Sequence, residues 1–189
     1  MLALCAAMTL VAAGCGAPAQ TTSPPPRSET SLPVLAPSAV PGISYTTRAV
    51  TAGDLSRDAP IAGLASKIVG WGYVDGRERT FQGESRQLTL VVSRTLLFRD
   101  AAGAHQFVTF VEQQRTAFFG GGVTERSLAI AGRSGWSFLP APCACHMANP
   151  DLVGVLTSGP TVTWLEINGP AASQTVLSML LDPAKSSSV

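Results

Sequence analysis

The stretch QLTLVVSRTLLFRDAAGAHQFVTFVEQQRTAFFGGG, residues 87–122, decides the fold class. Leu88, Leu90 and Val92 alternate with Gln87, Thr89 and Ser93, which is the period of a half-buried strand continuing towards Phe98. Asp100 is a good helix N-cap, and beyond it Ala104, Phe107, Val108, Val111 and Phe118 recur at helical spacing. His105, Gln106, Glu112 and Gln113 take the other side, and Gly120-Gly121-Gly122 stop the helix. A strand that hands over directly to an amphipathic helix makes this a mixed chain.

Working outward, Asp58 caps a short helix running to about residue 69, with Ile61, Leu64, Ala65 and Ile68 on one face and Gly70 ending it. Residues 71–81 read as a strand turned at Asp75-Gly76. Further strands are expected at 126–131, 135–139, 152–157 and 161–167, the last two joined across Ser158-Gly159-Pro160 as a hairpin. A closing helix is expected from Pro170, burying Val176, Leu177, Leu180 and Leu181 before Pro183. Short hairpin connections favour antiparallel pairing. The expected class is therefore α+β, with an antiparallel sheet of about six strands packed with about three helices.

That domain spans residues 42–183 and is long enough to bury one sizeable core. Residues 16–41 are rich in Pro, Ser, Thr and Ala around Pro24-Pro25-Pro26, a composition that cannot offset its ordering entropy by burial. It reads as a tether from Cys15 to Pro41, about 3.1 Å per residue where polyproline-like. A short unstructured tail is expected over 184–189. Thirteen Lys and Arg against twelve Asp and Glu leave a net charge of +1, scattered along the chain, so no nucleic-acid footprint is present. No motif implies a cofactor.

The N-terminus supplies an address. Residues 2–11 are almost wholly apolar and lead into Ala12-Ala13-Gly14-Cys15. This resembles the lipobox of exported bacterial lipoproteins. The resemblance implies a signal peptide over residues 1–14, cleavage before Cys15, and acylation of that cysteine, with the mature chain held at the outer face of the cell membrane. Ala12 stands where the family more often has a larger aliphatic residue, and no Lys or Arg precedes the apolar run. A signal peptide normally opens with positive charge, so the start is expected to lie upstream of Met1. The run is too short for a transmembrane helix, which needs about 20 residues. Each buried methylene of the anchor contributes about 0.8 kcal/mol, so a diacylglyceryl group holds firmly. The phrase from Arg99 to Phe107, a strand followed by an Ala-rich capped helix, is similar to exported domains of mycobacterial and other actinobacterial envelope lipoproteins. That likeness implies envelope localisation and a non-catalytic or unassigned role.

Pro142-Cys143-Ala144-Cys145-His146-Met147 is the one cluster with chemical content. Cys5 leaves with the signal and Cys15 is lipidated, so Cys143 and Cys145 remain as thiols in an oxidising compartment, which favours pairing them. Residues two apart have Cα atoms roughly 5.5 to 7 Å apart, which overlaps the range a disulfide tolerates, although so small a ring is strained. Three readings stay open: a structural bridge, a strained bridge that exchanges with other thiols, and a soft donor set of Cys143, Cys145, His146 and Met147 suited to Cu(I) and less well to zinc. One intervening residue crowds a zinc site, and covalent haem attachment needs two.

Elsewhere catalytic chemistry is thin. His105 lies about two turns before Glu112 on a polar face and reads as solvated. Ser134 and Ser137 flank Trp136 without a nucleophile elbow, and Asp75, Glu78 and Glu84 alternate with Arg77, Arg79 and Arg86 as a solvated hairpin would. The expectation is a non-enzyme. Two function classes remain: an envelope binding or interaction module that uses the sheet or a helix–sheet groove for an apolar or glycan ligand, and a thiol-redox or copper-handling lipoprotein. Trp71, Trp136 and Trp164 are conceivable walls for the first, with ordinary core packing as their commoner use. Intact mass under non-reducing conditions separates the cysteine readings. Two missing protons with no bound metal and resistance to glutathione are expected for the structural bridge, whereas two free thiols with one retained copper would sink it.

Overall fold

A computed structural model describes residues 32–83, 87–141 and 151–182. All of them belong to one compact unit, 31–189. Seven strands form one open antiparallel sheet: β1 (Ser44–Ala49), β2 (Tyr73–Gln82), β3 (Leu90–Phe98), β4 (Thr124–Ile130), β5 (Arg133–Leu139), β6 (Leu152–Ser158) and β7 (Thr161–Asn168). Their spatial order is β1-β2-β3-β7-β6-β5-β4. The chain meanders inward from one edge to β3, crosses to the far edge, and meanders inward again until β7 pairs with β3. The fold is α+β, as the periodicities lead one to expect.

The crossing is made by α3 (Ala101–Gln113) and α4 (Arg115–Phe119). Asp100 caps α3 by accepting from the Gly103 amide at 2.8 Å. Phe107, Val108 and Val111 are buried against the sheet, where α3 lies over β3, β5, β6 and β7. One continuous helix to Phe118 was the expectation. Instead the chain breaks at Gln114, whose backbone leaves the helical region. With α1 (Ala52–Arg57) and α2 (Leu64–Gly70), these helices cover one face. The other face carries α5 (Gln174–Leu181) together with residues 33–41. The helices are thus divided between both faces of the sheet.

Several local expectations are corrected. Asp58 is the C-cap of α1, not an N-cap: Thr51 and Asp54 form the capping box that starts α1, and Gly63 at φ +71° separates it from α2. Asp75-Gly76 is not a turn. It lies inside β2 beside a bulge between Tyr73 and Asp75, held straight by β3, while the Gly76 carbonyl accepts from the Val50 amide. β1 went unread because all six of its residues are exposed, which erases any alternation. β3 is not half-buried but covered on both faces from Val91 to Leu96. The last helix begins after Ser173, whose hydroxyl accepts from the Val176 amide, and not at Pro170, because residues 169–172 form a turn tied to Gln87.

The tether expected to reach Pro41 is also shorter than thought. Pro33 to Val40 lie against the sheet, Ala39 and Val40 are buried, and Pro37–Ala39 form a 3-10 turn. Signal peptide, Cys15 and the tail over 184–189 lie outside the described residues.

Two tight turns set the strand register. Gly159 at φ +55° opens the expected β6–β7 hairpin, and Ala131 at φ +50° with Gly132 at φ +74° gives β4–β5 the paired positive angles of a type I′ turn. Ala131 is the one described non-glycine residue in that region. Gly103 has a different role: a Cβ there would stand 1.9 Å from the Trp71 carbonyl oxygen, so α3 touches the chain leaving α2 through a bare backbone. We expect Gly103→Ala to lower stability by about 3 kcal/mol, the upper range for overpacking, as read by denaturant unfolding. A change below 1 kcal/mol would show that this contact yields freely.

Candidate functional site

On the face away from α1–α4, a groove of about 460 Å³ runs between residues 33–38 and α5. Its floor is β3 and β7, presenting Ser93, Thr95, Thr161 and Thr163, side chains that alternate with Arg94, Val162 and Trp164 directed at the opposite layer. Leu35 stands on one wall and Leu180 on the other. The volume is within the span of small-molecule sites, about 300–1,000 Å³, and apolar walls with a few polar groups are the usual make-up of such sites.

The N-terminal wall is a strap held by side chains. The Leu35 amide donates to the Ser93 hydroxyl at 3.0 Å, the Thr95 hydroxyl donates to the Pro33 carbonyl, and Arg79 Nη1 donates to the Leu35 carbonyl at 2.8 Å. Because the strap crosses the face and not the edge of the sheet, its backbone groups find side chains in place of ladder partners. Arg79 is itself steadied by Thr47 at 3.0 Å and by the Tyr45 ring, 5.0 Å to the centroid.

Arg133, the first residue of β5, lines the far side of the groove just past the Ala131-Gly132 turn. Its Nη2 donates to the Leu181 carbonyl at the end of α5, and its Nη1 lies 3.5 Å from the Thr163 hydroxyl. Burial pulls its guanidinium below the usual arginine range, and the charge of Asp182 only partly opposes this. Two smaller cavities, of about 260 and 180 Å³, flank α5 on the same face, and Leu180 borders both the groove and the smaller of them.

The opposite face holds a charge network centred on the buried Arg94 and Glu78 and reaching the surface at Arg48 and Asp58. Arg48, Glu78, Arg94 and Trp164 are mutual cross-strand neighbours in β1, β2, β3 and β7. Arg94 is 8% exposed, bonds Glu78 and Asp58 directly, and lies 3.9 Å from Glu166. Arg48 reaches the other Glu78 oxygen at 2.7 Å, and the Trp164 indole donates to Glu166 at 2.7 Å. Burial raises Asp58 and Glu166 above the ordinary carboxylate range, the pull of Arg94 notwithstanding. For Glu78 burial is outweighed by Arg94 and Arg48, and the net shift is downward. Arg94 is held firmly charged, since its three carboxylates outweigh its own burial. Glu78 is therefore no part of a solvated hairpin. No member of the network lines the groove or the two smaller cavities.

The other singled-out residues fall as follows. Cys143, Cys145, His146 and Met147 lie outside the described residues, as do Glu84 and Arg86. Trp71 packs on Phe107 and Phe110, and Trp164 on Phe107, Phe118 and Phe119. Trp136 joins the same cluster, so all three tryptophans lie on the side away from the groove. His105 is exposed beside Thr109 at 3.3 Å, and Glu112 pairs with Arg115, so the two do not form an acid–base couple. The Ser137 hydroxyl lies 3.5 Å from the Arg126 carbonyl. Among the described residues no group of His, Cys, Asp and Glu is arranged to hold a metal ion.

Sequence reading raised a helix–sheet groove only in general terms, without its place or lining, and missed the network. Arg94 alone gave a signal: a lone arginine inside an apolar strand. Neither a family model, nor a curated protein, nor a solved structure matches this chain.

The network makes a signed prediction. Arg94→Leu leaves carboxylates buried without their cation and is expected to cost about 3–5 kcal/mol. Glu166→Gln keeps an oxygen for the indole and is expected to be tolerated. A raised carboxyl is protonated in the folded state first, so the stability it provides is lost as pH rises from about 4.3, its unfolded value, through its folded one. The melting temperature of Glu166→Gln relative to the parent should accordingly rise as pH climbs above about 4.3. A difference that is flat or falls with pH counts against a protonated Glu166.

Proposed function

We propose that this chain is a cell-envelope lipoprotein, anchored through Cys15 at the outer face of the membrane, whose folded domain is a non-catalytic module binding a small apolar ligand. The observation that carries the binding half is the 460 Å³ groove on β3 and β7, walled by apolar side chains and floored by hydroxyls. The address rests on the lipobox resemblance of residues 12–15. The two halves agree in one respect: the segment that follows Cys15 reaches the fold as the wall of the groove, so the binding surface and the anchor share one stretch of chain.

Two measurements test this. Metabolic labelling with a palmitate analogue should mark the protein, and Cys15→Ala should abolish the label and release the chain from membranes. N-phenyl-1-naphthylamine, a neutral apolar fluorophore small enough for the groove, should bind the full chain with one saturating, blue-shifted phase, and Thr163→Trp should weaken it at least tenfold by filling the groove. Undiminished binding in that variant places the ligand elsewhere.

A further inference from the structure

The groove is unevenly built, and its asymmetry points to the kind of molecule it takes. At one end stand the only cation among its lining residues, Arg133, and the Thr163 hydroxyl, 3.5 Å apart. Away from that end Leu35 on the strap, Leu165 on the floor and Leu180 on α5 supply hydrocarbon, beside a Ser93 hydroxyl that already accepts from the Leu35 amide. Leu180 also lines the 180 Å³ cavity, whose other apolar walls include Val40, Ile43 and Leu88. The apolar walls of groove and cavity thus meet at Leu180, while the one cationic side chain lining the groove is Arg133.

Resting on the binding-module reading above, we propose that the groove binds a single-chain anionic amphiphile, a long-chain carboxylate, with its head against Arg133 and Thr163 and its chain along Leu35, Leu165 and Leu180. The charge matches. Arg133 is half-buried, and its partners on the groove side are a carbonyl and a hydroxyl, with Asp182 the one opposing carboxylate acting on it. A carboxylate accepting from guanidinium and hydroxyl together makes charge-assisted bonds, roughly twice as strong as neutral ones. The leucines suit the hydrocarbon chain of such a ligand.

The test uses the full chain in phosphatidylcholine vesicles with a palmitate analogue carrying a diazirine on its chain. Photolabelled peptides are read by mass spectrometry in the presence of excess palmitate, methyl palmitate or hexadecane. Labels are expected on peptides containing Leu35 and Leu180, suppressed by palmitate but not by its methyl ester. Arg133→Gln should reduce labelling at sub-saturating probe about tenfold. Thr163→Val, which leaves the guanidinium and its bond to α5 in place, should reduce it about threefold and keeps the inference testable if Arg133→Gln folds poorly. Leu180→Trp should remove label from the peptide containing Ile43 while sparing the one containing Leu35. Equal suppression by palmitate, its methyl ester and hexadecane, with both head-group variants unchanged, overturns the carboxylate assignment and leaves an apolar groove. Absence of label from the strap and α5 overturns the groove as a binding site altogether.

Discussion

Arg94 is the constraint around which the rest is arranged. A guanidinium near the middle of a seven-stranded sheet has lost its water, and the loss is bearable only if carboxylates arrive from several directions. They come from the end of α1, from β2 and from β7, three elements brought together by Asp58, Glu78 and Glu166. One side chain thereby fixes the register of both its neighbours and the place where the first helix stops. Aromatic packing completes the arrangement, since the Arg94 guanidinium lies 5.7 Å from the Trp164 ring, and that ring meets Phe107, Phe118 and Phe119.

The two faces of the sheet then divide the labour. Behind Arg94 the covering layer is thick, made of four helices and most of the aromatic residues. In front, one eight-residue helix and a strap cover the same sheet thinly, and cavities remain around α5. A tight layer on one face allows looseness on the other. The groove exists because α5 is short and because the strap is held by side-chain hydrogen bonds at a distance set by Ser93 and Thr95.

What could be read from the amino-acid sequence follows the same division. The strand at 90–98, the capped helix after Asp100 and the hairpin at Gly159-Pro160 were legible because each is a local periodicity or a turn with its own chemistry. β1 was hidden, since an exposed strand rich in Thr resembles a linker, and Asp58 misled because a carboxylate that serves a distant arginine looks like a cap. The groove was illegible for a deeper reason. Leu35, Ser93, Arg133, Thr163 and Leu180 are far apart in sequence and share no motif, so only tertiary structure makes them neighbours. The cysteine cluster had the reverse character: it was the loudest chemical signal in the chain, yet it lies outside the described residues.

The order of strands also bears on how the chain reaches its fold. β3 and β7 form the central seam, yet about 70 residues separate them, and contacts at such separation slow folding because loop closure precedes reward. Until β7 arrives, β1–β3 form a small meander whose inner edge offers unpaired amides and carbonyls, and β4–β7 do the same from the other side. Each inner edge is a template for the matching strand of another copy. Crowded, incompletely folded chains would therefore be expected to exchange halves across this seam, giving swapped dimers in which every native contact is made but between two molecules. A chain that folds slowly at its centre is best kept dilute until the seam closes.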